Sequence, residues 1–167
     1  MKIQIIDKTK KKKFIEEVSY LGLDAKNIPY LFIRTGQETV RAYSGSLTNE
    51  EIMKIWSLFP IEGVGLYFGK EFVDKHGNKE ARLSLDALHV LKDQIKGNII
   101  EINNEQEKNW FLGRNVELTI EQKEKYKNIH GFVAVKSEED FLGTAKISGE
   151  GILMSFLPKE RWVRENN

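Results

Sequence analysis

The chain has 167 residues, 40% hydrophobic and 31% charged, with three Trp, nine Phe and no Cys. This composition excludes a disordered chain; it also excludes disulfides, thiolate metal sites and cysteine nucleophiles, which leaves a reducing cytoplasm as the expected compartment. Net charge is +1, with 15 Lys and Arg against 12 Asp and Glu up to Lys92 and 11 against 13 beyond it, so any nucleic-acid site must be a local patch rather than a global field.

The first residues, Met1 to Ile6, precede the positive charges Lys8 and Lys10 to Lys13. A secretory signal would place its apolar region after such charges, so none is expected. The apolar runs fall far short of the ~20 residues that cross a bilayer, and no membrane association is expected. From Lys10 to Leu21, Phe14, Ile15, Val18 and Leu21 recur at helical spacing, and Gly22 ends the pattern. The lysine run reads as a solvated helix start, since a first turn prefers negative charge. Tyr30 to Arg34 and Thr39 to Tyr43 are β-prone and flank Gly36, which predicts a hairpin. Thr48 and Glu51 have capping-box spacing ahead of the stripe Ile52, Ile55, Trp56 and Phe59, and Pro60 closes that helix.

Val64 to Val73 and Glu80 to Leu83 flank Asp74 to Asn78, a second hairpin with Gly77 at positive φ. Ser84 caps a third helix with Leu85, Leu88 and Leu91 on one face. The first half is therefore expected to be α+β, an α/β-layered domain over residues 1–93 with about three helices and four short strands. After Ile95 the texture changes to short apolar runs at Asn98 to Ile102, Val116 to Ile120, His130 to Val135, Phe141 to Ile147 and Gly151 to Leu157, with only Glu107 to Leu112 helical. That spacing predicts a small barrel or sandwich over residues 94–167, with the boundary near Asp93 to Gly97 and the two domains packed directly.

Catalytic signatures are missing from the sequence. Gly63, Gly65 and Gly69 are spaced one residue too long for a dinucleotide fingerprint, and Gly69-Lys70 is followed by Glu71 where a phosphate-binding loop needs Ser or Thr. His76 reads as a turn residue, His89 as a helix-surface residue and His130 as a strand entry; none has partners at metal-ligand spacing. The pairs Glu50-Glu51 and Glu138-Glu139 read as solvated faces. No catalytic residue, metal or cofactor is expected. The end of the chain is different. Lys159, Arg161, Trp162 and Arg164 interleave cations with an aromatic ring, as single-strand binding uses phosphate contacts and base stacking. An extended Met154 to Val163 would place Lys159 and Arg161 on one face; Trp162 either closes the core or offers its ring to a base.

The runs Gly-Val-Gly-Leu-Tyr-Phe-Gly-Lys from Gly63, Ala-Arg-Leu-Ser-Leu-Asp-Ala-Leu-His-Val-Leu from Ala81 and Trp-Phe-Leu-Gly-Arg-Asn-Val from Trp110 occur in the order found in a known family. The chain resembles the Nip-seven family of ribosome-assembly factors from about Ile52 onward, more weakly before it. The resemblance implies an N-terminal α+β domain that meets a protein partner, followed by a PUA-like pseudo-barrel that binds RNA. It further implies a non-catalytic role in large-subunit ribosomal RNA processing, a preference for single-stranded uridine-rich RNA, and association with ribosome-assembly or exosome proteins. The basic ending, without a longer tail, looks archaeal, and a monomer is expected. Within the PUA pattern, Phe111 to Val116 falls on the helix-to-strand loop beside the RNA groove and a basic C-terminal strand forms the other wall. The contact candidates are then Arg114, Lys159, Arg161, Trp162 and Arg164, with Lys146 beside them. The alternatives are an RNA-modifying enzyme, or a PUA-containing regulatory fragment of one, which would need a nucleophilic Asp or a cofactor glycine loop, and a protein-interaction adaptor with incidental RNA affinity.

Overall fold

The computed structural model describes residues 2–59, 61 and 63–164. It is a mixed α+β structure with two five-stranded sheets. The chain divides into two compact units, one of residues 1–19 and 23–87, the other of residues 20–22 and 88–167. The division falls inside the third helix, ahead of the 93–97 boundary expected from sequence. A segment no local pattern could assign, Tyr20 to Gly22, joins the second unit. Lys96 and Gly97 both donate their backbone N–H to the Leu21 carbonyl, at 2.9 and 3.1 Å. A Cβ on Gly97 would sit 2.3 Å from the Tyr20 oxygen, so glycine is what permits this approach.

In the first unit, β1 (Ile3–Ile5), β2 (Leu31–Thr35), β3 (Thr39–Tyr43), β4 (Leu66–Val73) and β5 (Lys79–Leu83) form an antiparallel sheet in sequence order. β1 adds a strand to the four expected. Period-two alternation puts Phe32 and Ile33 on opposite faces, and both are fully buried because each face carries a helix. On one face α1 (Lys8–Glu17) brings Phe14 against Phe32 edge-on, with ring centroids 5.7 Å apart, and Phe68 lies 4.9 Å from Phe32. On the other face Ile3, Ile33 and Ile52 form a cluster that Trp56 and Tyr43 cover. Ile52 and Trp56 come from α2 (Asn49–Leu58), whose capping box is formed as read: the Thr48 hydroxyl accepts from Glu51 N and Glu51 accepts from Thr48 N at 2.7 Å. Phe59 does not continue the buried stripe; it lies past the helix end and is 62% exposed. Pro60, expected to close that helix, lies outside the described residues.

The lysine run departs from its solvated reading. Asp7 caps α1, its carboxylate accepting from Lys10 N at 2.9 Å, and Lys12 pairs with Glu16 one turn on. Lys11 instead turns inward, half-buried, and donates to the Ile28 and Tyr30 carbonyls at 2.5 and 2.6 Å with its ammonium 5.1 Å from the Phe32 ring centroid. The ammonium satisfies two loop carbonyls ahead of β2, a role invisible to local pattern because the partners lie 17 and 19 residues away. In the β4–β5 turn Asp74 Oδ1 accepts from the N–H groups of His76 and Asn78, and Gly77 has φ +86°. Ser84 Oγ accepts from Ala87 N, capping α3 (Leu85–Val90).

The second unit's sheet has the order β6 (Ile99–Glu101), β8 (Gly131–Ser137), β9 (Asp140–Ile147), β10 (Ile152–Ser155), β7 (Val116–Glu117). The β6–β8 pairing is parallel and the others antiparallel. A parallel neighbour needs a long crossover; here it carries α4 (Asn104–Phe111), β7 and α5 (Ile120–Lys125). The expected strand from Val116 to Ile120 is therefore cut to two residues. Thr119 caps α5 with a box to Gln122, a T-x-x-Q signal present in the sequence but overridden by the apolar run before it. The two N3 glutamines also meet each other: Gln106 Nε2 donates to Gln122 Oε1 at 2.8 Å and Gln122 Nε2 returns a bond to Gln106 Oε1 at 3.0 Å. Their amides further donate to the Glu117 and Glu101 carbonyls, which ties both helix starts to the ends of β7 and β6.

Trp110 is fully buried beneath this sheet, and its indole N–H donates to the Leu142 carbonyl at 3.0 Å. Removing so large a buried side chain leaves a cavity and an orphaned carbonyl, so Trp110→Ala should cost about 3–5 kcal/mol in guanidinium unfolding. A loss under about 1 kcal/mol would mean the site refills. In the first unit, burial, reinforced by the Glu71 charge, raises the Glu17 carboxyl above its ordinary value, although Lys79 and Arg34 oppose this. Because the folded pKa is raised, the penalty is absent below the unfolded value of 4.5 and grows as pH climbs through the folded one. Glu17→Gln should therefore raise the melting temperature at neutral pH and leave it unchanged in acid; a stabilisation equal at both pH values would refute the assignment.

Candidate nucleic-acid interface

The loop from α4 to β7, Leu112 to Asn115, is set by a helix-ending motif. Gly113 N donates to the Trp110 carbonyl at 3.0 Å and Arg114 N to the Asn109 carbonyl at 3.1 Å, the paired bonds of a Schellman cap, with Gly113 at φ +72°. Arg114 follows the cap directly and is exposed, its Nη1 also donating to Asn109 Oδ1 at 3.4 Å.

The C-terminal segment comes back to this loop, but not in the extended form that would have put Lys159 and Arg161 on one face. β10 ends at Ser155, and one more bond, Phe156 N to the Thr144 carbonyl at 3.0 Å, continues its pairing. Pro158 then lacks the N–H that further pairing needs, and Lys159–Arg161 is a 3₁₀ turn. Lys159 and Arg161 accordingly do not share a strand face; in a three-residue turn they stand about 120° apart. The residue that eclipses Lys159 is Trp162, and the Lys159 ammonium lies 5.8 Å from the indole centroid. Pro158 is the signal in the sequence that argues against an extended chain beyond Leu157.

Trp162 is held from three sides. Its indole N–H donates to the Leu157 carbonyl at 3.1 Å. The next residue, Val163, donates its backbone N–H to the Phe111 carbonyl at 2.8 Å. Between them the ring lies against Gly113, where a Cβ would fall 2.2 Å from indole Cε2. The ring is nonetheless 38% exposed, so it neither closes a core completely nor stands free. Arg114, Lys159, Arg161 and Arg164, all exposed, are therefore carried by two backbone segments locked together at Gly113 and Trp162. The role of Gly113 as a seat for the ring was missed from sequence. A glycine just past a helix end announces the cap; nothing local announces a ring arriving from 49 positions later.

Lys146 belongs elsewhere on the sheet. It pairs in register with Met154 on β10 and Phe132 on β8, and its ammonium lies 5.0 Å from the Phe132 ring centroid. The half-buried stem covers that ring. Phe132 is only 6% exposed and has Phe156 beside it at 5.7 Å, so this aromatic pair is packing rather than an open stacking platform. His76 and His130 lie where the sequence put them, in a turn and at a strand entry; surface His89 also bonds through Nε2 to the Phe141 carbonyl at 2.7 Å. Among the described residues no group of three or more His, Cys, Asp or Glu is arranged to hold a metal, and no helix is long and apolar enough to cross a membrane. The chain matches no protein-family model and no curated protein.

Gly113→Ala strikes both duties of that position. The left-handed conformation alone costs an L-residue about 1–2 kcal/mol, and the new methyl must also displace the Trp162 ring. The expected result is loss of the shifted indole N–H resonance of Trp162 and faster proteolysis after Lys159 or Arg161, with the rest of the spectrum unchanged. An unaltered Trp162 resonance would show that the ring does not depend on this seat.

Proposed function

We propose that this chain is a non-catalytic RNA-binding accessory factor, a relative of the Nip-seven ribosome-assembly proteins whose second unit is a PUA-like pseudo-barrel. The observation that carries the reading is the seating of Trp162 on Gly113, with Val163 bonded to Phe111, which brings the C-terminal cations to the loop bearing Arg114. A half-exposed indole among exposed cations suits a single strand: the cations meet phosphates and the ring offers partial stacking area. The mixed sheet, with two crossover helices and a returning C-terminal segment, supports the PUA-like architecture. In this reading the mechanism is occupancy. The second unit holds or shields ribosomal RNA, uridine-rich by preference, while the first docks an assembly or exosome protein, in the cytoplasm and as a monomer. Lys146 contributes at most a flanking charge, since its stem is committed to Phe132.

Four cationic contacts to single-stranded RNA give a log-log salt slope of about −3. Filter binding with an oligouridine probe should show that slope for the unaltered chain. Arg161→Ala with Arg164→Ala should weaken binding and reduce the slope by roughly 1.4, or ~0.7 for each phosphate no longer neutralised. Unchanged affinity and slope in the double variant would remove the C-terminal segment from the interface.

A further inference from the structure

A β-bulge in the first unit gathers aromatic rings and cations on one face of the sheet. In the β3–β4 pairing Arg41 stands opposite Tyr67 and Thr39 opposite Lys70, with the register shifted between Val40 and Arg41. The extra residue is Phe68, which turns to the α1 face and packs with Phe14 and Phe32. Tyr67 and Lys70, three positions apart, therefore share the opposite face, because their partners on β3 are two apart. Beyond the bulge β4 pairs with β5 without a shift, Lys70 opposite Arg82 and Phe72 opposite Glu80. One face thus carries Arg41, Tyr67, Lys70, Phe72, Glu80 and Arg82.

The helix α2 lies on this same face, but over the other half of the sheet. Its Ile52 packs on Ile3 of β1 and Ile33 of β2, and the side chains around that cluster are Leu31, Tyr43, Trp56 and Val64. None of the six residues on β3 to β5 belongs to it, and each keeps part of its surface in solvent. The Tyr67 phenol sits among their charges: burial raises its pKa, Arg82 and then Arg41 pull it down, and Glu38 pushes it up. Arg41 is fixed before any ligand arrives, since its Nη1 donates to the Gly65 carbonyl at 3.0 Å and a Cβ on Gly63 would collide with its guanidinium. Lys70 meets Glu38 at 3.5 Å with the two side chains 38% and 52% exposed, a pairing worth little in water that a phosphate can replace.

Rings set between cations on a pleated face narrow the ligand. Bases of a single strand can lie on the rings while the cations hold its phosphates, whereas a duplex offers such a face its phosphates alone. Along β4 the two rings are about 13 Å apart, at ~3.3 Å per residue with the bulge counted out, a reach that roughly two or three bases cover on sheet platforms. An acidic peptide would answer the cations and leave both rings without a role. We propose that the β3–β5 face of the first unit binds a short single strand of nucleic acid, with bases on Tyr67 and Phe72 and phosphates on Arg41, Lys70 and Arg82. The Glu80 carboxylate opposite Phe72 accepts and never donates, which favours a base with an amino group on its edge over uracil. This site does not rest on the C-terminal interface.

The test is a titration of the full ¹⁵N-labelled chain with an adenylate hexamer across a salt series, with a deoxyadenylate hexamer to tell which sugar the face takes and a glutamate-rich peptide as a third arm. Saturable shifts are expected at the amides of Arg41, Tyr67, Lys70, Phe72 and Arg82, with a log-log salt slope of about −2 for three phosphate contacts. Phe72→Leu keeps an apolar side chain without the ring and should weaken adenylate binding about tenfold. Lys70→Gln, at a part-exposed position, should keep the melting temperature and reduce the slope by ~0.7. In the Arg161→Ala, Arg164→Ala double variant these first-unit shifts should persist, which separates the fate of this site from that of the C-terminal one. The proposal is overturned if adenylate shifts only the C-terminal segment, if Phe72→Leu and Lys70→Gln both bind as tightly as the unaltered chain, or if the glutamate-rich peptide saturates this face while adenylate does not.

Discussion

The second unit depends on a side chain that is not there. At Gly113 the backbone must adopt φ +72° to finish α4, and the space where a Cβ would stand is filled by the indole of Trp162. One residue therefore ends a helix, aims the following arginine outward and seats the end of the chain. Two bonds to backbone carbonyls, from Trp162 to Leu157 and from Val163 to Phe111, add to that seat. Stacking and cation contacts both presuppose a preorganised surface, because ordering a loose tail costs binding free energy for each side chain immobilised.

Much of the fold was legible because its signals are local. The Thr48–Glu51 box and the Asp74 to Asn78 turn are each settled by residues within one turn of one another, and both formed as read; Phe14, Ile15, Val18 and Leu21 are buried as read, but α1 ends at Glu17 and a 3₁₀ turn, Ser19–Leu21, carries Leu21. The failures share a cause. Val116 to Ile120 reads as a strand by composition, yet Thr119 belongs to a helix start, and two rules competed over the same residues. β1 is three residues long, too short for periodicity to speak. The C-terminal cations are exposed, but the 3₁₀ turn after Pro158 parts Lys159 from Arg161, which a partly extended segment would have put on one face. Lys146 looks equivalent to them by charge alone. Only the register with Phe132 and Met154 shows that it lies on another part of the sheet.

The lysine run shows how little charge density alone says about purpose. Four consecutive residues of one type take three different roles: Lys11 satisfies two loop carbonyls, Lys12 pairs along the helix, and Lys10 and Lys13 border a groove. Helical geometry imposes the split, since successive side chains point about 100° apart. A patch defined by sequence proximity is thus a poor guide to a patch in space, and the same lesson applies in reverse to Gly113 and Trp162, which are distant in the chain and touching in the fold.

The reciprocal amides of Gln106 and Gln122 hold the starts of α4 and α5 to the ends of β6 and β7 without a single formal charge. A carboxylate in either place would release its partner on acidification, whereas a carboxamide neither takes up nor gives off a proton in the range where proteins stay folded. These amide bonds therefore persist whatever the acidity, beside the Lys123–Glu117 and Lys125–Glu101 pairs that hold α5 to the same two strand ends by charge.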